Sequence, residues 1–211
     1  MSETPKDLRE LFRFYYDYVK PLYAAVSAEN VMPQEVLFEI NAAFDHVSRH
    51  WEHGEPEADM VKQAYGHLKR SCLDIFKLSY KDLKMDYDRM MKADLSLIDN
   101  GDFEGNARRR FAEITQLVRD ARNFEGKNSI GKEKNPEAFE KWLPAYEKGE
   151  AFRREYILNP KVDWAKKKTT SIFRKEIVVG IIINVAIGVL FFVIGAVFSE
   201  PVKAAWEKIF P

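Results

Sequence analysis

The sequence predicts an all-α protein, an up-and-down helical bundle followed by a single C-terminal transmembrane helix. Three observations carry that reading. Apolar residues recur at three- and four-residue steps through most of the first 124 positions, the spacing that gathers side chains on one face of a helix. No stretch alternates apolar and polar residues for long enough to make a strand. Ile177 to Phe198 then runs for twenty-two residues without a formal charge, with Asn184 as its only strongly polar side chain. At about 1.5 Å of rise per residue that helix is roughly 33 Å long, which matches a hydrocarbon core of about 30 Å. A buried helix of a soluble protein rarely continues so far without one solvated face.

The expected organisation is a cytosolic four-helix bundle over 1–124, a flexible loop over 125–135, and an aromatic segment with a basic juxtamembrane helix over 136–176. The span at 177–198 and an interfacial tail at 199–211 complete it. Thr4-Pro5-Lys6-Asp7 reads as the first helix start, with a capping hydroxyl, proline at the first helical position and an acid in the first turn. Leu8, Leu11, Phe12, Tyr15, Tyr18, Val19 and Leu22 form its apolar face, Pro21 is expected to bend or end it, and 28–33 reads as the turn. The second helix, from about Pro33 to Trp51, turns Leu37, Ile40, Phe44, Val47 and Trp51 inward and stops at Gly54-Glu-Pro56.

A third helix runs from about Glu57 to Ile98. Its stripe is Val61, Tyr65, Leu68, Cys72, Ile75, Ser79, Leu83, Tyr87 and Met90, close to a heptad seam. Asn100-Gly-Asp-Phe breaks it, and Asp102 caps a fourth helix carrying Phe103, Ala107, Phe111, Ile114, Leu117 and Ala121. After the polar stretch from Glu125 to Pro136, the residues Phe139, Trp142, Leu143, Tyr146, Phe152, Tyr156 and Ile157 form two short runs interrupted by Pro144. From Pro160 nothing breaks a helix before the membrane. Pro201 is expected to start a last short helix whose Val202, Ala205, Trp206, Ile209 and Phe210 lie on the far membrane surface.

Composition bounds function. Thirty-three basic and thirty-three acidic residues leave no net charge, which argues against specific nucleic-acid binding. One cysteine, Cys72, excludes an internal disulfide, fits a reducing compartment, and falls on an apolar face that points to packing. Lys166, Lys167, Lys168, Arg174 and Lys175 precede the span; Lys203 and Lys208 follow it, offset by Glu200 and Glu207. Basic flanks stay cytoplasmic, so the N-terminal bulk is expected in the cytosol of a tail-anchored, single-pass protein of the inner membrane. The opening residues lack a basic region followed by an apolar run, so no cleaved signal peptide is expected. The five basic residues and Trp206 are assigned to the membrane surface.

Two constellations invite chemistry. Ala43-x-x-His46-x-x-Arg49 and Ala64-x-x-His67-x-x-Arg70 repeat one spacing on successive helices. If those helices pair, His46, Arg49, His67 and Arg70 line an electropositive notch for a small phosphorylated ligand; the alternative is close packing at alanine with surface hydrogen bonds. His46, His50 and His53 share a helical face, with Glu39 a heptad behind, and would form a metal-dependent enzyme's site only with a further ligand from elsewhere. Gly126 to Glu133 copies a phosphate-binding loop but ends in Glu where a hydroxyl belongs and follows no strand. Arg49 and His53 are too close for the R-x(4 to 6)-H motif of HEPN ribonucleases. No triad or paired carboxylate stands out, so the protein is expected to be non-enzymatic and without a cofactor. Within the span, Gly180, Asn184, Gly188 and Gly195 share a side, as in membrane helices that self-associate.

Asn41-Ala-Ala-Phe-Asp-His46-Val-Ser-Arg49 and Gly66-His67-Leu-Lys-Arg70-Ser-Cys-Leu-Asp74 resemble helical segments of uncharacterised bacterial membrane proteins, some of which look like components of antiviral defence loci. The resemblance covers about forty residues. It implies a sensor and effector whose soluble bundle binds a cytosolic protein or small ligand and whose span forms a homo-oligomer that disturbs the lipid bilayer. Tail-anchored apoptosis regulators are a more distant comparison, and the chain lacks their Asn-Trp-Gly-Arg motif. The rival expectation is a constitutive membrane adaptor or scaffold for a cytosolic protein.

Overall fold

A computed structural model of the chain describes residues 4–27, 33–128 and 137–209. Those residues form helices and turns, with no strand among them. The elements are α1 (Leu8–Phe14), a π-helical turn (Tyr15–Val19), α2 (Lys20–Ser27), α3 (Gln34–His53), α4 (Glu57–Met90) and two 3-10 turns (Leu95–Leu97, Asp99–Gly101). There follow α5 (Asp102–Asn128), α6 (Ala138–Phe152), a second π-helical turn (Arg153–Ile157) and α7 (Pro160–Ile209). The chain divides into two compact units, Met1–Val162 and Asp163–Pro211, so the boundary falls inside α7.

The expected start at Thr4 is corrected to Leu8. Asp7 is extended, and its carboxylate accepts from the Glu10 N–H at 2.8 Å, while Glu10 reaches back to the Lys6 N–H at 2.9 Å. That satisfies two N–H groups a helix start leaves open. Nor does Pro21 end the helix. Its ring would collide with the carbonyl four residues back, Asp17, in a regular α-helix. The π-helical turn at Tyr15–Val19 contains that residue and widens the backbone there.

On α3 the buried residues are Val36 and Ala43, while Phe44 is 49 % and Trp51 73 % exposed. The expected inward face holds at Ile40 and Val47, which pack against the core, and is corrected at Phe44 and Trp51. Gly54 ends α3 in the left-handed region, φ 69°, as glycine permits. The stripe of α4 is found as expected, with Val61, Tyr65, Leu68, Cys72, Ile75, Leu83 and Met90 buried. The helix stops at Met90 rather than Ile98, because Asp94 accepts from the Ser96 N–H and opens a 3-10 turn that buries Leu95 and Ile98. Asp99 and Asn100 (φ 48° and 55°) then turn the chain into α5.

The loop expected from Glu125 is shortened, since α5 continues through Asn128; 129–136, like 28–32, lies outside the described residues. Glu125 is held by the Trp142 Nε1–H at 3.1 Å and by Lys77 at 2.9 Å. Pro144 interrupts nothing, and α6 is one helix across it. Nor is the aromatic stretch a separate portion: Phe139 and Trp142 belong to the same core as Phe14, Leu68 and Phe76. α4 is the hub, packing against α1, α2, α3 and α6, and α6 also packs on α5. An aromatic series extends this body: Tyr87 stacks on Phe111 at 3.8 Å, Phe111 meets Phe152 at 5.8 Å, and Phe152 stacks on Tyr156 at 4.8 Å.

α7 is unbroken from Pro160 to Ile209 and passes through Pro201, so the separate last helix is corrected to a continuation. The Asn159 side chain accepts from the Lys161 N–H at 3.0 Å at its start. Its segment Pro160–Gly195 has a window of mean hydropathy 3.0 of which 0 % is buried. Among the described residues one helix is thus long and apolar enough to cross a membrane. The side chain of Trp206 lies outside the described residues.

Candidate functional site

α3 and α4 pair along their length, and this brings the two repeated motifs together. The rings of His46 and His67 stack with centroids 5.2 Å apart. Glu39, about two turns before His46 on α3, reaches across the seam. Its Oε2 lies 2.7 Å from His67 Nδ1 and accepts from Arg70 Nε at 2.9 Å. Arg70 Nη2 also lies 2.5 Å from His67 Nδ1, so carboxylate, guanidinium and imidazole converge at one nitrogen. Burial pushes the Glu39 carboxyl upward, but hydrogen bonds from Arg70 and His67, with their charges, outweigh it and hold the group below its ordinary value. Arg49 turns away to an exposed pair with Asp45.

The notch is therefore not an open electropositive site. Two of the four motif side chains, His67 and Arg70, already face an anion of the chain itself, Glu39. The imidazole and carboxylate resemble the orienting half of a catalytic dyad, yet the described residues place no nucleophile beside them. Cys72 is fully buried, and burial pushes its thiol up to about 12, far from the thiolate that reacts.

The histidine face does not gather a metal site. His46 is engaged with His67, His50 Nδ1 donates to the Glu55 carbonyl at 2.6 Å, and His53 is exposed. Among the described residues no group of three or more His, Cys, Asp or Glu is placed to hold a metal ion. Gly180, Asn184, Gly188 and Gly195 lie on α7, and a Cβ added at any of the three glycines would meet nothing within 4 Å.

Sequence reasoning missed one ionic element. Lys69 is 4 % exposed, pairs with Glu140 at 3.1 Å, and lies over the rings of Tyr65 and Phe139 at 5.0 and 5.5 Å. Its partner is seventy-one residues away, so no local signal could have identified it.

The Glu39 trio yields a stability prediction. Glu39→Gln leaves the guanidinium and imidazole without their charged acceptor in a half-buried seam, and is expected to cost about 1 to 2 kcal/mol. Faster amide exchange in α3 is the measurement. A second prediction concerns pH. Burial, then the neighbouring charges of His67 and Arg49, lower His46 from 6.5, so the neutral ring is the form the fold favours. A lowered folded value contributes stability that is present above about pH 6.5 and lost as pH falls through that value; Glu39 acts in the same sense at more acid pH, below its ordinary 4.5. Exchange protection of α3 is expected to fall between pH 7 and 5, and less so in His46→Asn.

The class these features define is an all-helical protein with a compact charged body and one apolar helix of membrane-crossing length. Comparison with protein-family models, curated proteins and solved structures finds no match.

Proposed function

We propose that the chain is a single-pass, membrane-anchored, non-enzymatic protein whose α1–α6 form a helical bundle in the cytosol and dock a protein partner, while α7 crosses the membrane and self-associates. One observation carries it: the Pro160–Gly195 segment contains an apolar window of mean hydropathy 3.0, none of which is buried. The fourteen exposed Ile, Val, Leu and Phe side chains from Ile177 to Ile194 would in water cost about 25 cal/mol for each Å² of apolar surface, a cost a bilayer removes. The cytosolic orientation is supported by the basic excess ahead of the apolar run.

A protein partner is favoured over a phosphorylated ligand because the Glu39 carboxylate neutralises the notch, whereas Phe38, Phe44 and Trp51 on α3 remain exposed. Self-association is supported by Asn184, whose amide in hydrocarbon gains from a partner amide, and by glycines beside it that admit a second backbone. As an effector of the kind its segments resemble, the oligomer would disturb the membrane during antiviral defence. The second reading is a constitutive adaptor, to which the same exposed aromatics on α3 would belong but for which Asn184 would have no use.

The test is the full-length chain in mild detergent, its mass read by light scattering. An oligomer is expected, converted largely to monomer by Asn184→Leu with Gly188→Leu, and cells overexpressing the wild type alone are expected to depolarise. A chain that remains monomeric, or membranes that depolarise equally with the double variant, would overturn self-association through this face.

A further inference from the structure

Several cations of the first unit are answered by an acid. Arg49 pairs with Asp45, Arg70 with Glu39, Lys77 with Glu125, Arg108 with Glu104, Arg153 with Asp86 and Lys161 with Asp99. The part of α7 just before the apolar run carries a local excess of cations. Asp163 to Glu176 holds five cations and two acids. Among the described residues Lys167, Lys168, Arg174 and Lys175 are exposed, and no acidic group lies within ion-pair distance of them; Lys166 alone finds Asp163, at 3.6 Å.

Helical geometry sorts these side chains. Because α7 is continuous, Lys168, Ser171 and Lys175 recur at three- and four-residue steps on one face, with Lys167 and Arg174 along its edge. Thr170 and Phe173 lie towards the opposite side, and so, further along, does the side bearing Gly180, Asn184 and Gly188. Depth follows from the same geometry. Arg174 and Lys175 stand two or three residues before Ile177 and fall within a headgroup layer of about 5 to 7 Å. Ser171 is six residues before it, roughly 9 Å along the axis. An upright helix holds Lys167, Lys168 and Ser171 outside that layer; a helix tilted towards the Lys168 face brings them in, and tilts up to about 40° are ordinary.

We infer that the Lys168, Ser171 and Lys175 face of α7 is a docking surface for the phosphates of anionic phospholipids in the adjacent leaflet, and that this contact sets the direction in which the helix tilts. The charge complementarity is direct: cations without an acidic partner gather on and beside one face, and the leaflet supplies anions. Attraction amounts to about fivefold in occupancy for each cation brought to the surface. The tilt leaves the Asn184 side turned away from the leaflet, so lipid contact and self-association use different sides of one helix. The inference rests on the membrane reading above.

The experiment places a fluorophore at Ser171→Cys, or as a control at Thr170→Cys, in full-length protein carrying Cys72→Ala, in nanodiscs whose lipids bear a headgroup quencher. Phosphatidylcholine alone is compared with a mixture containing about a third phosphatidylserine. Quenching at position 171 is expected to rise about twofold with phosphatidylserine, to exceed that at 170, and to return to the neutral-lipid value in 1 M salt or in Lys167→Gln, Lys168→Gln, Arg174→Gln, Lys175→Gln. Quenching that ignores lipid charge, or is equal at 170 and 171, would overturn the proposal. Flotation of the same chain with vesicles separates the two ideas: a chain that fails to float removes the membrane reading, and one that floats with composition-blind quenching removes the lipid contact alone.

Discussion

Replacing Trp142 by alanine is expected to cost about 3 to 5 kcal/mol, the largest effect of any single substitution in the first unit. Trp142 is the largest fully buried side chain, 1 % exposed, on the α6 helix that packs on both α4 and α5. Alanine would remove most of the ring and leave a cavity that three helices must close together. It would also strip the Nε1–H from Glu125, whose carboxylate then keeps only Lys77. Against a domain stability of about 5 to 15 kcal/mol, the loss is a large fraction of the whole. Amide exchange of the full chain in detergent reads it directly: protection in α4, α5 and α6 should fall by about 10² to 10³. Trp142→Phe keeps most of the volume and loses the hydrogen bond, so its effect should be nearer tenfold. If Trp142→Ala left exchange in α4 unchanged, α6 would not be part of the same cooperative core.

What the sequence reveals about this fold depends on how local the cause is. The stripe on α4 was legible because eight turns of regular spacing leave one assignment, and the same holds for Phe103, Ala107, Ile114 and Ala121 on α5. α3 was not, because Val36, Leu37, Phe38, Ile40, Ala42, Ala43, Phe44 and Val47 put apolar groups almost all round. Packing against α4 chose the face, and it chose the small Ala43 over the large Phe44. Prolines misled for a related reason. A ring that breaks a regular helix is tolerated where a π-helical turn precedes it, as at Pro21, and the residues around Pro21 do not announce that turn.

The candidate site shows the same division. The repeated spacing pointed to His46 and His67, and the structure stacks them. It could not show that Glu39, twenty-eight and thirty-one residues from its partners, would fill the notch and cancel its charge. Pairing across helices is set by register, and register is a property of the packed core rather than of either motif. That Gly180, Asn184, Gly188 and Gly195 share one side of α7, by contrast, follows from the helix period alone.

The second large effect is expected in α7. Val185 and Leu190 lie near the middle of the apolar run and are 60 % and 57 % exposed, so neither supports the packing of the first unit. An aspartate at the centre of a membrane helix costs about 2.5 to 3.5 kcal/mol on insertion scales, and Val185→Asp with Leu190→Asp should together cost about 5 to 7 kcal/mol, since the two are far enough apart to act separately. A cost of that size should move most of the chain from the carbonate-resistant membrane fraction to the soluble or degraded one. Thr170→Asp, ahead of the apolar run, should leave fractionation unchanged. Exchange protection in α4 should stay at its wild-type level in the double variant, because the substitutions lie in the second unit. A double variant that still resists carbonate would mean that something other than hydrocarbon covers these side chains, and the anchoring role of α7 would fall with it.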